Sequence, residues 1–139
     1  MNNELVTMLV AIIIVGILLF FAISLTKKRP TAYDKEEYQS DFLRIENTLS
    51  RENELSFNTV VTEADKLLDK ALCEAGIPGR TMGDRLKASG HRFSQLNAVW
   101  YAHKLRNQIA HEHNFHLNYN QAAHSLETYK KALQDLGAI

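Results

Sequence analysis

The segment SQLNAVWYAHKLRNQIAH, residues 94–111, decides the fold class, because its apolar side chains recur at helical and not at alternating spacing. Counted at about 100° per residue, Ala98, Ala102, Leu105 and Ile109 share one narrow arc, the stripe expected to face a core. Ser94 is placed to cap the helix at its start. On the opposite side Leu96, Trp100, His103, Asn107 and His111 spread over roughly 80°. A solvated face normally carries Lys and Glu, yet this one begins with Leu and Trp and ends with His, Asn and His. It is therefore expected to be covered, with Leu96, Trp100 and His103 lining a pocket or a symmetric dimer contact.

The same periodicity continues on both sides. Tyr38, Phe42, Ile45 and Leu49 form a single stripe on a helix of about 34–51. A second helix of about 54–75 turns Phe57, Val60, Val61, Ala64, Leu67, Leu68, Ala71 and Leu72 inward, with Gly76 at its C-terminal turn and Pro78 forbidding continuation. Cys73 on that helix reads as a small buried hydrophobe. Thr81 to Asp84 resembles a capping box opening a short helix that stops at Gly90. Asn118 or Asn120 starts a last helix bearing Ala122, Leu126, Tyr129, Leu133 and Leu136. No stretch alternates in the manner of a strand. The expected architecture is all-α, an antiparallel bundle of about five helices.

Upstream lies a segment of another kind. Leu5 to Thr26 carries no charge, and as a helix it is roughly 33 Å long, against a hydrocarbon core of roughly 30 Å. A cleaved signal peptide, with Ala22-Ile23-Ser24 as its small-residue site, competes with this reading. Glu4 and the lack of any preceding Lys or Arg count against it, since a secretory leader starts basic. Residues 5–26 are thus expected to anchor the chain in a membrane. Lys27, Lys28 and Arg29 follow directly, which by the positive-inside rule puts the amino end outside and the rest in the cytoplasm, at the inner membrane of a bacterial-type cell. The expected division is an anchor with its basic flank, 1–29, and a cytoplasmic helical domain, 30–139. The whole chain has 139 residues, 16 basic and 16 acidic, so its zero net charge argues against a generally basic nucleic-acid coat. One cysteine excludes an intramolecular disulfide framework.

Arg106-Asn107-Gln108-Ile109-Ala110-His111 reads R-N-x-x-x-H at the end of the amphipathic helix. In this motif and in its helical layout, over about 38–136, the chain resembles the HEPN superfamily; the anchor is no part of that likeness. Active HEPN proteins are metal-independent endoribonucleases that work as homodimers, with both protomers contributing to one cleft. The resemblance implies Arg106 and His111 as catalytic residues, Asn107 as a positioning group, RNA as substrate and no cofactor. The chemistry is sound. RNA breaks without a metal when its own 2′-OH attacks the adjacent phosphorus, leaving a 2′,3′-cyclic phosphate and a 5′-OH. A histidine, with a typical pKa of about 6.5, is suited to take the proton. A guanidinium can meet the charge that grows on the phosphorane. Arg106 and His111 stand five positions apart, about 140° around a regular helix. From one straight helix they are expected not to converge on one phosphate, which favours a two-fold site.

Blander readings stand beside this one. Arg106 can pair with an acidic neighbour, and His111 suits a helix C-terminus whatever its function. Lys104 and Arg106 are the only cations between Arg92 and Lys130, so no basic cluster is evident near the motif. His111, His113 and His116, with His124 nearby, lack a recognised zinc-ligand spacing, and no metal is expected. Trp100 and Tyr101 read as packing residues before they read as a base platform. Residues 79–83 form a turn and not a phosphate loop. The alternative to a ribonuclease is a non-catalytic, membrane-tethered helical binding or adaptor module whose polar face contacts a partner protein or nucleotide.

Overall fold

A computed structural model describes residues 3–26 and 33–139. Among them every regular element is helical: α1 (Asn3–Thr26), α2 (Lys35–Thr48), α3 (Glu54–Glu74), α4 (Met82–Ser89), a 3₁₀ turn (Gly90–Arg92), α5 (Leu96–His111) and α6 (Tyr119–Leu136). The chain divides into two compact units, 1–31 and 32–139. In the first, α1 is long and apolar enough to cross a membrane. Its large side chains, Leu5 through Phe21, are exposed on every side, as expected of a helix with no protein core to face. The basic flank Lys27-Lys28-Arg29 and the expected boundary at 29/30 lie outside the described residues.

The second unit is built around α3, which packs against α2, α5, α6 and α4. All eight side chains expected to turn inward from α3 are buried, Val60, Val61, Ala64, Leu68, Ala71 and Leu72 completely. Burying a side chain of Val or Leu size contributes about 1.5–3 kcal/mol each, so α3 is the principal source of stability. Its end is set by Gly76 (φ 70°), where the Ile77 N–H reaches back to Leu72 O at 3.1 Å. Cys73 corrects the expectation of burial, for it is exposed. It follows the last inward pair, Ala71 and Leu72, and has rotated off the core arc.

Helix α2 ends at Thr48, short of the expected residue 51, because serine and asparagine hydrogen bonds turn the chain there. Ser50 N–H donates to Ser56 Oγ at 3.1 Å, Ser56 Oγ donates to Asn53 O at 2.6 Å, and Asn53 Oδ1 caps α3 by accepting from Leu55 N–H at 3.1 Å. The capping box at Thr81 and Asp84 forms at the start of α4, and a second, Asn118 with Gln121, opens α6. Ser94 does not cap α5. Its N–H and hydroxyl both donate to Asp135 Oδ2, at 2.8 and 2.7 Å, tying the start of α5 to the end of α6. The charged acceptor outcompetes a cap, and the capping position passes to Gln95, whose side chain makes no capping bond. On α5 the buried side chains are Val99, Ala102 and Leu105, with Ala98 and Ile109 half-buried, so the core arc is turned slightly from the expected one. That turn brings Trp100, His103, Arg106 and Asn107 to partial burial on the opposite flank.

Candidate functional site

Between α3, α4 and α5 runs an open cleft of about 740 Å³. Helix α5 supplies Trp100, His103, Arg106, Asn107 and His111; α3 supplies Asp65, Lys66 and Asp69; residues 80–85 and Lys87 form the third wall. The three residues of the R-N-x-x-x-H motif therefore line one cleft of a single chain. α5 is continuous to His111, so both side chains leave one uninterrupted helix and line the same cleft. No hydrogen bond joins the two among the described residues. Leu96 lies apart from Trp100 and His103, lining a separate depression with Gly90 and Phe93, its Cδ2 3.0 Å from where a Cβ on Gly90 would stand.

The floor of the site is a carboxylate. Asp65 sits on the inward side of α3 with only 3% of its surface exposed. Its Oδ1 lies 2.8 Å from His103 Nδ1 and accepts the Tyr129 hydroxyl at 2.9 Å. Its Oδ2 faces Arg106 Nε at 3.5 Å, an ion-pair distance too long for a hydrogen bond, and that buried Nε has no other partner. Arg106 Nη1 donates to Asn107 Oδ1 at 3.2 Å, and Asn107 Nδ2 lies 3.3 Å from His103 Nε2. Burial, followed by the nearby Asp65 charge, pushes the Tyr129 phenol well above its usual pKa, so Tyr129 acts purely as a donor here. The indole of Trp100 meets the His103 ring edge-on, with 6.1 Å between centroids. His111, by contrast, is exposed on the last turn of α5.

The opposite wall is rigid and charged. Arg85 grips Asp69 through two parallel bonds, Nε to Oδ1 at 2.7 Å and Nη2 to Oδ2 at 2.9 Å, while Nη1 donates to Gly79 O at 2.7 Å. These bonds to Asp69 hold the guanidinium firmly in its charged form. Asp84 accepts the backbone N–H groups of Arg80 and Thr81 at 3.2 and 3.1 Å, and the Thr81 bonds hold its carboxyl below the usual carboxylate range. Among the described residues Arg80 and Lys87 form no ion pair. Five cations, Lys66, Arg80, Arg85, Lys87 and Arg106, thus line the cleft against Asp65, Asp69 and Asp84. The lack of a basic cluster around the motif, as judged along the chain, is corrected in space: Arg106 of α5 is joined by Lys66 of α3, Arg85 and Lys87 of α4, and Arg80 of the turn before α4.

Asp65 escapes the sequence reading, which takes Tyr129 only as a core residue and His103 only as part of a pocket or dimer contact. The available signal was a carboxylate seven residues before Leu72 and three before Leu68, inside an apolar stripe. No group of three or more His, Cys, Asp or Glu among the described residues is arranged to hold a metal ion. No family model, no curated protein and no solved structure matches the chain.

Proposed function

We propose that the chain is a single-pass membrane protein whose helical domain is of the HEPN type and cuts RNA without a metal. The observation that carries the proposal is the meeting of Arg106, Asn107 and His111 along one open cleft whose facing walls bear Lys66, Arg80, Arg85 and Lys87. A groove lined by cations suits a polyanionic strand. In the reaction the 2′-oxygen forms its bond to phosphorus as the bond from phosphorus to the 5′-oxygen breaks. His111 takes the 2′-OH proton, and water protonates the departing 5′-oxygen. Arg106 meets the growing phosphorane charge, and Asn107 positions it. Pairing of two chains as a homodimer sets a second Arg106 and His111 beside the first, as in the family the motif resembles. The anchor is α1, and the run Lys27-Lys28-Arg29 favours a cytoplasmic domain at the inner membrane with the amino end outside.

One observation favours a second reading, a non-catalytic tethered module for a protein partner. The polar groups of Arg106, Asn107 and His103 are engaged with one another and with Asp65, as a purely structural network would have them. The two readings separate in one experiment. The purified full chain in detergent micelles is incubated with varied RNAs in EDTA beside His111→Ala. Cutting that His111→Ala abolishes while the helical signal survives supports the ribonuclease; no cutting, or cutting that persists in the variant, supports the tethered module.

A further inference from the structure

We infer that Asp65 and His103 are positioning residues for the arginine of the cleft, an assignment that deepens the RNA-cleavage reading and rests on it. Hydrogen-bond polarity around the site admits one arrangement. A guanidinium can only donate, so the contact from Arg106 Nη1 at 3.2 Å requires the oxygen of Asn107. The Asn107 amide nitrogen is thereby turned to His103 Nε2, 3.3 Å away, which must accept. The ring proton then sits on Nδ1 and is donated to Asp65 Oδ1 at 2.8 Å. Asp65 Oδ2 closes the circuit by facing Arg106 Nε at 3.5 Å. Each side chain is thus oriented by the next. The carboxylate is fixed in turn by Tyr129 from α6, so three helices set where the guanidinium points.

Two substitutions separate positioning from bulk stability. Both hydrogen-bond donors to Asp65 converge on Oδ1. Asp65→Asn can keep that oxygen for His103 and Tyr129, but it sets an NH₂ group against Arg106. His103→Gln offers one donor and one acceptor and can preserve the circuit, whereas His103→Ala breaks it. With the full chain in micelles, His103→Ala and Asp65→Asn are expected to lower kcat about 10²-fold with KM within about threefold, at unchanged helical content. His103→Gln is expected to restore most of the rate. A glutamine variant as slow as the alanine one would overturn the assignment, because the imidazole would then be reacting itself. A rise in KM alone, or an Asp65→Asn enzyme at the parent rate, overturns it as well.

A second readout does not depend on cleavage. In ¹⁵N spectra the Asn107 side-chain amide and the Arg106 Nε–H are expected to shift in His103→Ala and Asp65→Asn and to return in His103→Gln. Resonances unmoved in all three variants overturn the circuit. If the parent chain cuts no RNA, the cleavage reading fails alone, and these shifts still decide whether Asp65 and His103 hold the arginine.

Discussion

Replacing Asp65 by alanine removes a carboxylate that joins α3, α5 and α6 through polar contacts. The Tyr129 hydroxyl, on a residue with no exposed surface, loses its acceptor; a buried group left unsatisfied costs about 1–3 kcal/mol. His103 Nδ1, on a side chain only 12% exposed, loses its partner too, and Arg106 loses its counter-charge. Together the loss falls in the range of about 3–5 kcal/mol seen when one member of a buried ion pair is removed, a large share of the 5–15 kcal/mol typical of a whole domain. Asp65→Asn keeps Oδ1 for both donors and is expected to cost only about 1–2 kcal/mol. Trp100, the sole tryptophan, lines the same cleft, so its fluorescence reports the transition during guanidinium unfolding of the full chain in micelles. Equal losses for the two variants, or an alanine loss below about 1 kcal/mol, would refute the claim that this carboxylate organises the domain.

Other regions give further tests. Burial pushes the Asp135 carboxyl up, but the Ser94 N–H and hydroxyl, with Lys131, outweigh it and hold it below the usual range. A depressed folded pKa gives stability that is present above the unfolded value of about 3.9 and is lost as pH falls through the folded value. Ser94→Ala should therefore flatten the fall in Tm between pH 5 and pH 2; an unchanged acid limb would contradict the bond. Asn118→Ala removes the cap of α6 and should cost about 1 kcal/mol, read by the same fluorescence transition, and a loss near zero would argue against the capping box. Exposed Cys73 should label with a maleimide in the native chain, and protection until unfolding would return it to the core.

The bundle was legible because helix, unlike strand pairing, is a local matter. Spacing alone placed the inward side chains of α3 and α6, and a Thr81-to-Asp84 interval is enough to mark a cap. Where long-range contacts decide, the reading slipped. Ser94 was assigned to its own helix because Asp135, 41 residues on, cannot be seen from Ser94. The cleft shows the same divide. Arg106, Asn107 and His111 are neighbours in the chain and stand out as a motif. Asp65 lies 38 residues before His103 and 64 before Tyr129, so its role depends on a register that only the folded chain displays. The charge of the cleft was hidden for the same reason, since Arg80 and Lys87 belong to a turn and a short helix with no apparent tie to the motif.

Whether this cleft breaks phosphodiester bonds is tested most directly by single-turnover cleavage of RNA in EDTA, with analysis of product ends, for the full chain and for Arg106→Ala. A metal-independent site predicts 2′,3′-cyclic phosphate and 5′-OH ends from the parent chain, and a rate at least about 10²-fold lower when the guanidinium is gone. Ends bearing a 5′-phosphate, or an Arg106→Ala chain that cuts at the parent rate, would contradict it.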